Sequence, residues 1–440
     1  MSPGTLRGDV RTWGYIGVNS FGGPAGQIAV LHRVVVDEKQ WVDEKRFLHA
    51  LNFCMLLPGP EAMQLATYLG WLRRGVGGGL LAGGLFVLPG ALVMLLIAAA
   101  YALYGDVNWI SGLLFGVQTA VIAIIAQAVV RIGRRALKTR TSVALAVASF
   151  TGVFVFGLHF PVIVAVALAI GWVVGRMRPS ALDVRVADDA TSDQVGPTVV
   201  RQTRIVATVV LVVWAASIAS LVVLLGRDNV FAQEAVVFAQ AAIFSFGGAY
   251  AVLGFVTQQA VVNYGWLSTG DMVTGLGLAE TTPGPLILVC QFVGFLAAYQ
   301  AAPVGVAPLL AGVLGALVTV WVLFLPSFVL VFAGAPHIES LRHDVRIAGS
   351  LAAVTAAVVG VIADLGLWFA VNVLFDEVDQ TRSGVIAIPW PAWGSLDLWA
   401  AALAALAAVL VFWRRMGILP VLGVCAGLGM LLSVTGVHAA

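Results

Sequence analysis

The sequence predicts an all-α polytopic membrane protein, with two homologous repeats of inverted topology, broken helices and about 13 transmembrane segments. Three observations predict it: an apolar composition, a charge bias among the loops, and a motif that recurs at fixed spacing. Of 440 residues, 60% are hydrophobic and 10% charged, and the mean hydropathy is +0.98. Soluble proteins carry about 25% charged residues. The 49 glycines suit close packing of membrane helices. A net charge of +2 gives no footing for a nucleic-acid partner.

Apolar runs of spanning length fall near 77–104, 109–130, 141–157 with 160–175, 205–225, 303–334, 347–364, 396–413 and 418–437. Two regions, 13–72 and 235–299, are apolar but interrupted by Gly and Pro. The start "MSPGTLRGDVRTWG" lacks a signal-peptide core, so the first apolar segments are expected to insert directly into the plasma (inner) membrane.

The loops differ in sign. "WLRRGVGG" (71–78), "RIGRRALKTR" (131–140), "HIESLRHDVR" (337–346) and "WRRMG" (413–417) are basic, as are the segments flanking the central linker. The loop at 104–109 has no basic residue, and "DEVDQTR" (376–382) is acidic on balance. The positive-inside rule then places the N-terminus in the cytoplasm and the C-terminus in the periplasm.

"NSFGGPAG" (19–26) recurs as "FSFGGAYA" (244–251). One and the same interval separates Ser20 from Ser245, Trp41 from Trp266, and Pro58 from Pro283. The interval from Pro89 to Pro326 is slightly longer, which a single short slip between the repeats explains. The expected organisation is a first repeat domain at 1–178, a linker with one inverting helix at 179–226, and a second repeat domain at 227–440. Equivalent loops of the halves carry opposed charge, which predicts inversion, a hallmark of secondary transporters that some channels share.

The chemistry concentrates at the breaks. After Pro58-Gly59-Pro60 a helix can start at Glu61, and Pro283-Gly284-Pro285 offers the same. Such an N-terminus carries roughly half a positive charge and binds anions without a lysine. Gly22-Gly23 and Gly247-Gly248 read as backbone nests or close helix contacts, with kinks and packing notches the bland alternative. Ser20, Ser245, Thr281, Thr282 and Gln64 add hydrogen-bonding side chains. Glu61 has three readings: a buried neutral carboxyl, a proton-coupling group, or a helix-start residue. His49 and Asp364 stand out in apolar segments as functional or merely lumen-facing groups, and "HRVVVDEKQWVDEKRF" (32–47) reads as an amphipathic surface segment. No GxxxxGK[ST], HExxH or GxSxG occurs, and Cys54, Cys290 and Cys425 form no CxxC. No ATP hydrolysis, catalytic residue, metal or cofactor is expected.

"SFGGPAGQIAVLHRVVVDEKQWVDEKRFLHALNFCMLLPGPEAMQLATYLGW" (20–71) resembles the signature of the chromate ion transporter family, and "SFGG…W…PGP" (245–285) its second-half counterpart. The resemblance spans essentially the whole chain and is similar to the long, two-domain branch. It implies an inner-membrane exporter of chromate, driven by the membrane potential or by ion exchange. The positions carried over are Phe21, Gly22, Gly23, Pro24, Trp41, Pro58, Gly59, Pro60, Gln64 and Gly70. Gln27 stands where many members have His, and Ala249 replaces the Pro24 equivalent. The expected substrate site combines Ser20, Phe21, Gly22, Gly23, Pro58, Gly59, Pro60 and Gln64 with Ser245, Gly247, Gly248, Thr282, Pro283, Gly284 and Pro285, with Glu61 as coupling candidate. The expected partners are chromate or a sulfate-like oxyanion and membrane lipid; both anions are tetrahedral dianions, which a dipole-based site separates poorly. Oligomeric state is left open, a dimer being one option. The alternative reading is a membrane protein without transport activity, an intramembrane enzyme or lipid-handling scaffold.

Overall fold

A computed structural model describes residues 5–183, 197–246, 248–335, 344–383 and 386–436. Helix α1 (Leu6–Asn19) starts where the Thr5 hydroxyl accepts the Gly8 N–H. Helix α2 (Gly23–His32) runs out into a π turn, Arg33–Glu38, and α3 (Glu44–Cys54) is capped by Asp43. Helix α4 (Glu61–Tyr104) is broken at Arg74 and Gly75, whose φ of 62° and ψ of −153° no helix contains. Its arms, 61–73 and 76–104, fold back on each other, so that a side chain on Gly70 would strike the Gly78 carbonyl.

Helices α5 (Asn108–Ala136), α6 (Arg140–Phe154), α7 (Phe160–Met177) and α8 (Pro197–Leu225) follow. Then come α9 (Val230–Phe244) and α10 (Ala249–Thr257), which also runs into a π turn, Gln258–Asn263. Helix α11 (Thr269–Thr281), a 3₁₀ turn at Leu286–Leu288, α12 (Val289–Gln300), α13 (Pro308–Gly334), α14 (Val345–Leu374), α15 (Leu398–Ala408) and α16 (Ile418–Val434) complete the helices.

Six helices among the described residues are long and apolar enough to cross a membrane, and five shorter ones are apolar. The apolar runs read from sequence fall in these helices to within a few residues, and the two interrupted regions become short helices and turns. The chain is a multi-pass membrane protein. A hairpin has no counterpart in the sequence reading: strand β1 (Val378–Ser383), which overlaps the stretch 376–382 read as acidic, pairs antiparallel with β2 (Ile386–Pro391) beyond it.

The chain forms two compact units, each drawing on both sequence halves. The first is built on residues 1–96, 185–252 and 282–348, the second on 97–184, 253–281 and 349–440. In the first, α13 packs on α8, α9 and α12. The indole N–H of Trp214 on α8 reaches the Val322 carbonyl at 2.9 Å, and that of Trp71 reaches the Thr203 hydroxyl at 3.1 Å. The central helix is thereby tied to both α4 and α13.

In the second unit, α5 packs on α16 and α14 packs on α7. Gly112 of α5 lies against Gly429, and Gly349 of α14 lies against Gly171. The interval from Gly112 to Gly349 equals that from Pro89 to Pro326. Hydroxyls reinforce both pairs: Ser433 donates to the Asn108 carbonyl at 2.6 Å, and Ser350 to the Leu168 carbonyl at 3.1 Å. Small residues let such helices approach to backbone contact, where dispersion and hydrogen bonds hold them without a hydrophobic driving force.

Gly360 on α14 faces the Ala146 carbonyl of α6, whereas Gly84 has open space where a side chain would go. Gly360→Leu is expected to lose about 1–3 kcal/mol to overpacking, and Gly84→Leu nothing measurable. Thermal stability of the two detergent-purified variants checks this; equal melting would contradict the packing.

Candidate functional site

Two glycine-rich breaks and two Pro-Gly-Pro turns meet in the first unit, each break against the turn from the other half of the sequence. The N–H of Gly59 donates to the Ser245 carbonyl at 3.0 Å, and the N–H of Gly284 donates to the Ser20 carbonyl at 2.8 Å. Donor and acceptor each exchange places with their repeat equivalents between the two bonds. The amides of Gly59 and Gly284 are therefore committed to holding the breaks. Any anion at these turns must use other donors.

Local chemistry explains each break. Ser20 and Ser245 are buried and turn their hydroxyls back on their own helices, to the carbonyls of Ile16 at 2.6 Å and Ala242 at 3.0 Å. Gly22 (φ 82°) and Gly23 (φ 69°) take left-handed conformations, and nothing lies where their side chains would be. These two are there for backbone shape, not close packing, and Pro24 then opens α2. Phe21 is exposed. Gly248 also has positive φ, and Gly247 lies outside the described residues.

The two crossings differ. In the first, Pro58 and Pro60 are half-buried, and α4 starts at Glu61 as the sequence suggests. The space beside Gly59 (φ 127°) holds the Gln64 amide and the Ser327 hydroxyl. Gln64 donates to the Pro58 carbonyl at 2.6 Å, and its buried Oε1 has no protein partner among the described residues. In the second crossing Thr282, Pro283, Gly284 and Pro285 are all buried. The space beside Gly284 holds Leu288 and the backbone of Gly90. A one-turn 3₁₀ helix, not an α-helix, follows Pro285. Gln27, the family departure, donates to the Gly284 carbonyl at 2.6 Å. The first turn is half-buried beside polar side chains; the second is fully buried against Leu288 and the Gly90 backbone, with Gln27 as its polar contact, while Phe21 and Gly22 of its break are exposed.

Other singled-out residues lie elsewhere. Asp364 lines a cavity of about 140 Å³ in the second unit with Thr257, Gln258 and Trp368. His49 is half-buried on α3. His32 bonds Glu44 and lies 3.5 Å from Asp37, which together hold its imidazole above the usual pKa range, the Glu44 hydrogen bond most of all. That cluster belongs to the charged segment 32–47.

Sequence reasoning missed a buried ion pair. Asp9, 2% exposed on α1, accepts from Arg73 at 2.9 Å and also pairs with Arg74. The Arg73 guanidinium lies 3.8 Å over the ring of Trp41, which touches Trp13. Trp41 is thus a lid on this pair. Two residues of the basic loop "WLRRGVGG" are therefore partly neutralised by a buried carboxylate. Asp9→Ala would leave two arginines around an apolar gap; breaking a buried pair costs about 3–5 kcal/mol. A large drop in melting temperature is expected, and a change below about 1 kcal/mol would place the pair among weak surface bridges.

Comparison with known proteins adds the following. The family model described as "Chromate transporter" matches residues 10–172 and 232–430. A chromate transport protein of Pseudomonas aeruginosa is 34% identical over 355 residues, covering 79% of this chain and 76% of its own length. One of Cupriavidus metallidurans is 29% identical over 361 residues, covering 81% of each chain. No solved structure matches the chain.

Proposed function

Because the chain belongs to the chromate transporter family, a family of transporters and not enzymes, we propose that it is a secondary active exporter of chromate, or of a related tetrahedral oxyanion such as sulfate, in the inner membrane. The observation that carries this reading is the family match on both sides of the central linker. The absence of a P-loop sequence favours a gradient over ATP as driving force.

Two inverted repeats, 1–178 and 227–440, joined by the single helix of 179–226, account for the geometry economically. The reciprocal Gly59–Ser245 and Gly284–Ser20 bonds support it. So do Gly112 and Gly349, which make matching helix contacts, and the π turns Arg33–Glu38 and Gln258–Asn263, which fall at equivalent positions of the repeat. Opposed loop charges support inversion. About 13 crossings put the N-terminus in the cytoplasm and the C-terminus in the periplasm. External labelling of single cysteines, in a cysteine-free background, is expected to reach 376–395 and not 131–140. Equal labelling of both would remove the inverted arrangement.

The anion site is assigned to the first crossing: the N-terminal turn of α4, Gln64, Ser327 and the break at Ser245 and Gly248. Its Pro-Gly-Pro turn is half-buried and has the side chains of Gln64 and Ser327 beside Gly59, where the other turn has Leu288 beside Gly284. The second, with Ser20–Gly23 and the buried turn Thr282–Pro285, serves as its structural counterpart. A dianion there accepts from neutral donors and the helix dipole, so it binds without being trapped by a lysine. Glu61 sits at the same turn and opposes a dianion unless protonated or turned away.

Chromate exchange by the purified protein in vesicles tests the function. Gln64→Leu is expected to lower chromate exchange at least about tenfold at unchanged abundance, while Leu288→Gln in the second crossing changes it less than about twofold. Equal losses would return the site to both crossings, and an inactive parent protein would overturn transport.

A further inference from the structure

Glu234 is fully buried near the start of α9, and neither carboxylate oxygen has a hydrogen-bond partner among the described residues. It follows Asp9 by the same interval that separates Ser20 from Ser245 and Trp41 from Trp266. Each half thus carries one buried acid at the same place in its leading helix. Their surroundings differ in one respect.

Asp9 has two arginines. After Gly70 the sequence reads Trp71-Leu72-Arg73-Arg74; after Gly294 it reads Phe295-Leu296-Ala297-Ala298. The packing agrees with this pairing. Gly78 lies against the Gly70 carbonyl and the Arg74 side chain, and Gly315 lies against the Gly294 carbonyl and the Ala298 side chain. Glu234 Oε1 is beside Gly315 at that crossing. The acid is retained, and alanines stand where its counter-charges would be.

Among the described residues no other charge takes their place. On α9 itself there is no other titratable residue, and α13 has none. Helix α12 contributes only Cys290 and Tyr299. On α8, Arg201 and Arg204 lie about 30 Å along the axis from the end that adjoins α9. Arg227 and Asp228, in the loop before α9, are exposed. Thr319, one turn beyond Gly315, has a buried hydroxyl beside Gly294 that likewise lacks a hydrogen-bond partner among the described residues. An ionised carboxylate without partner or counter-ion is too costly in such surroundings, so the site holds the neutral acid. Ionisable groups inside membrane proteins mark ion and proton routes.

We propose that Glu234 is a proton-binding site, loaded in the conformation described here and unloaded in another, which couples a proton to anion movement. The coupling rests on the transport reading above; the bound proton does not. The proton leaves the carboxyl O–H for water when the α9–α12–α13 crossing opens, and returns when it closes. Asp9, locked by Arg73 and Arg74, remains a carboxylate throughout.

Two measurements on the purified full-length protein decide it. Infrared difference spectra of parent and Glu234→Gln are expected to show a protonated carboxylic-acid C=O band that the variant lacks. Ala298→Arg, which supplies the counter-charge Asp9 enjoys, is expected to abolish the same band. In vesicles, Glu234→Gln is expected to keep chromate-for-chromate exchange within about twofold and to lose at least about tenfold of the response to an imposed pH gradient at clamped potential. A band that persists in Glu234→Gln overturns the proposal, as does a variant that follows the pH gradient like the parent. A parent that exchanges no chromate overturns the transport reading, and the infrared band alone then decides whether Glu234 holds a proton.

Discussion

A turn buried at membrane depth leaves peptide groups that no water satisfies, and each unmet group costs several kcal/mol. This chain has breaks near Ser20 and Ser245 and turns at Gly59 and Gly284. Neither half can satisfy its own. The bonds from Gly59 to Ser245 and from Gly284 to Ser20 remove the deficit in both at once. Most of the first unit follows from this exchange: the arms of α4 must bring Pro58–Pro60 to the second break, and Gln27 must reach the Gly284 carbonyl.

The exchange is reciprocal in backbone and unequal in side chains. Gln64 and Ser327 occupy one crossing, while Leu288 and Gly90 occupy the other. The same inequality recurs in the paired acids, where Asp9 has two arginines and Glu234 faces the Gly315–Ala298 contact. Under the proposed duplication, the scaffold supplies the geometry twice. Substitutions in one copy then free the other for a different task, since a polar group is tolerated only where its surroundings satisfy or use it.

Helical runs, the two interrupted regions and the helix start at Glu61 were legible because hydrophobic length and proline placement are local signals. The partner of each turn was not, since the donor at Gly59 and the acceptor at Ser245 lie far apart in sequence. Gly22 and Gly23 could be read as backbone nests or as packing notches; open space faces them, and their positive φ is the reason for glycine. Gln27 registered only as a family departure, although it clamps Gly284. Asp9 and Glu234 were in reach, since they fall at the spacing of the repeat, but single acids in apolar text are conspicuous only once their burial is known. The β1–β2 hairpin hid in a segment read for charge alone.

The two compact units interleave the chain, and this has a consequence for biogenesis. Residues 1–96 find their unit complete only when 282–348 have been made. The N-terminal break at Ser20 must therefore wait, inserted but unbonded at its carbonyl, while nearly two-thirds of the protein is synthesised. Domains that fold during synthesis normally close behind the ribosome. Here insertion and closure are separated in time, and the waiting half depends on translocon, lipid headgroups or chaperone to shield what its distant partner will later satisfy.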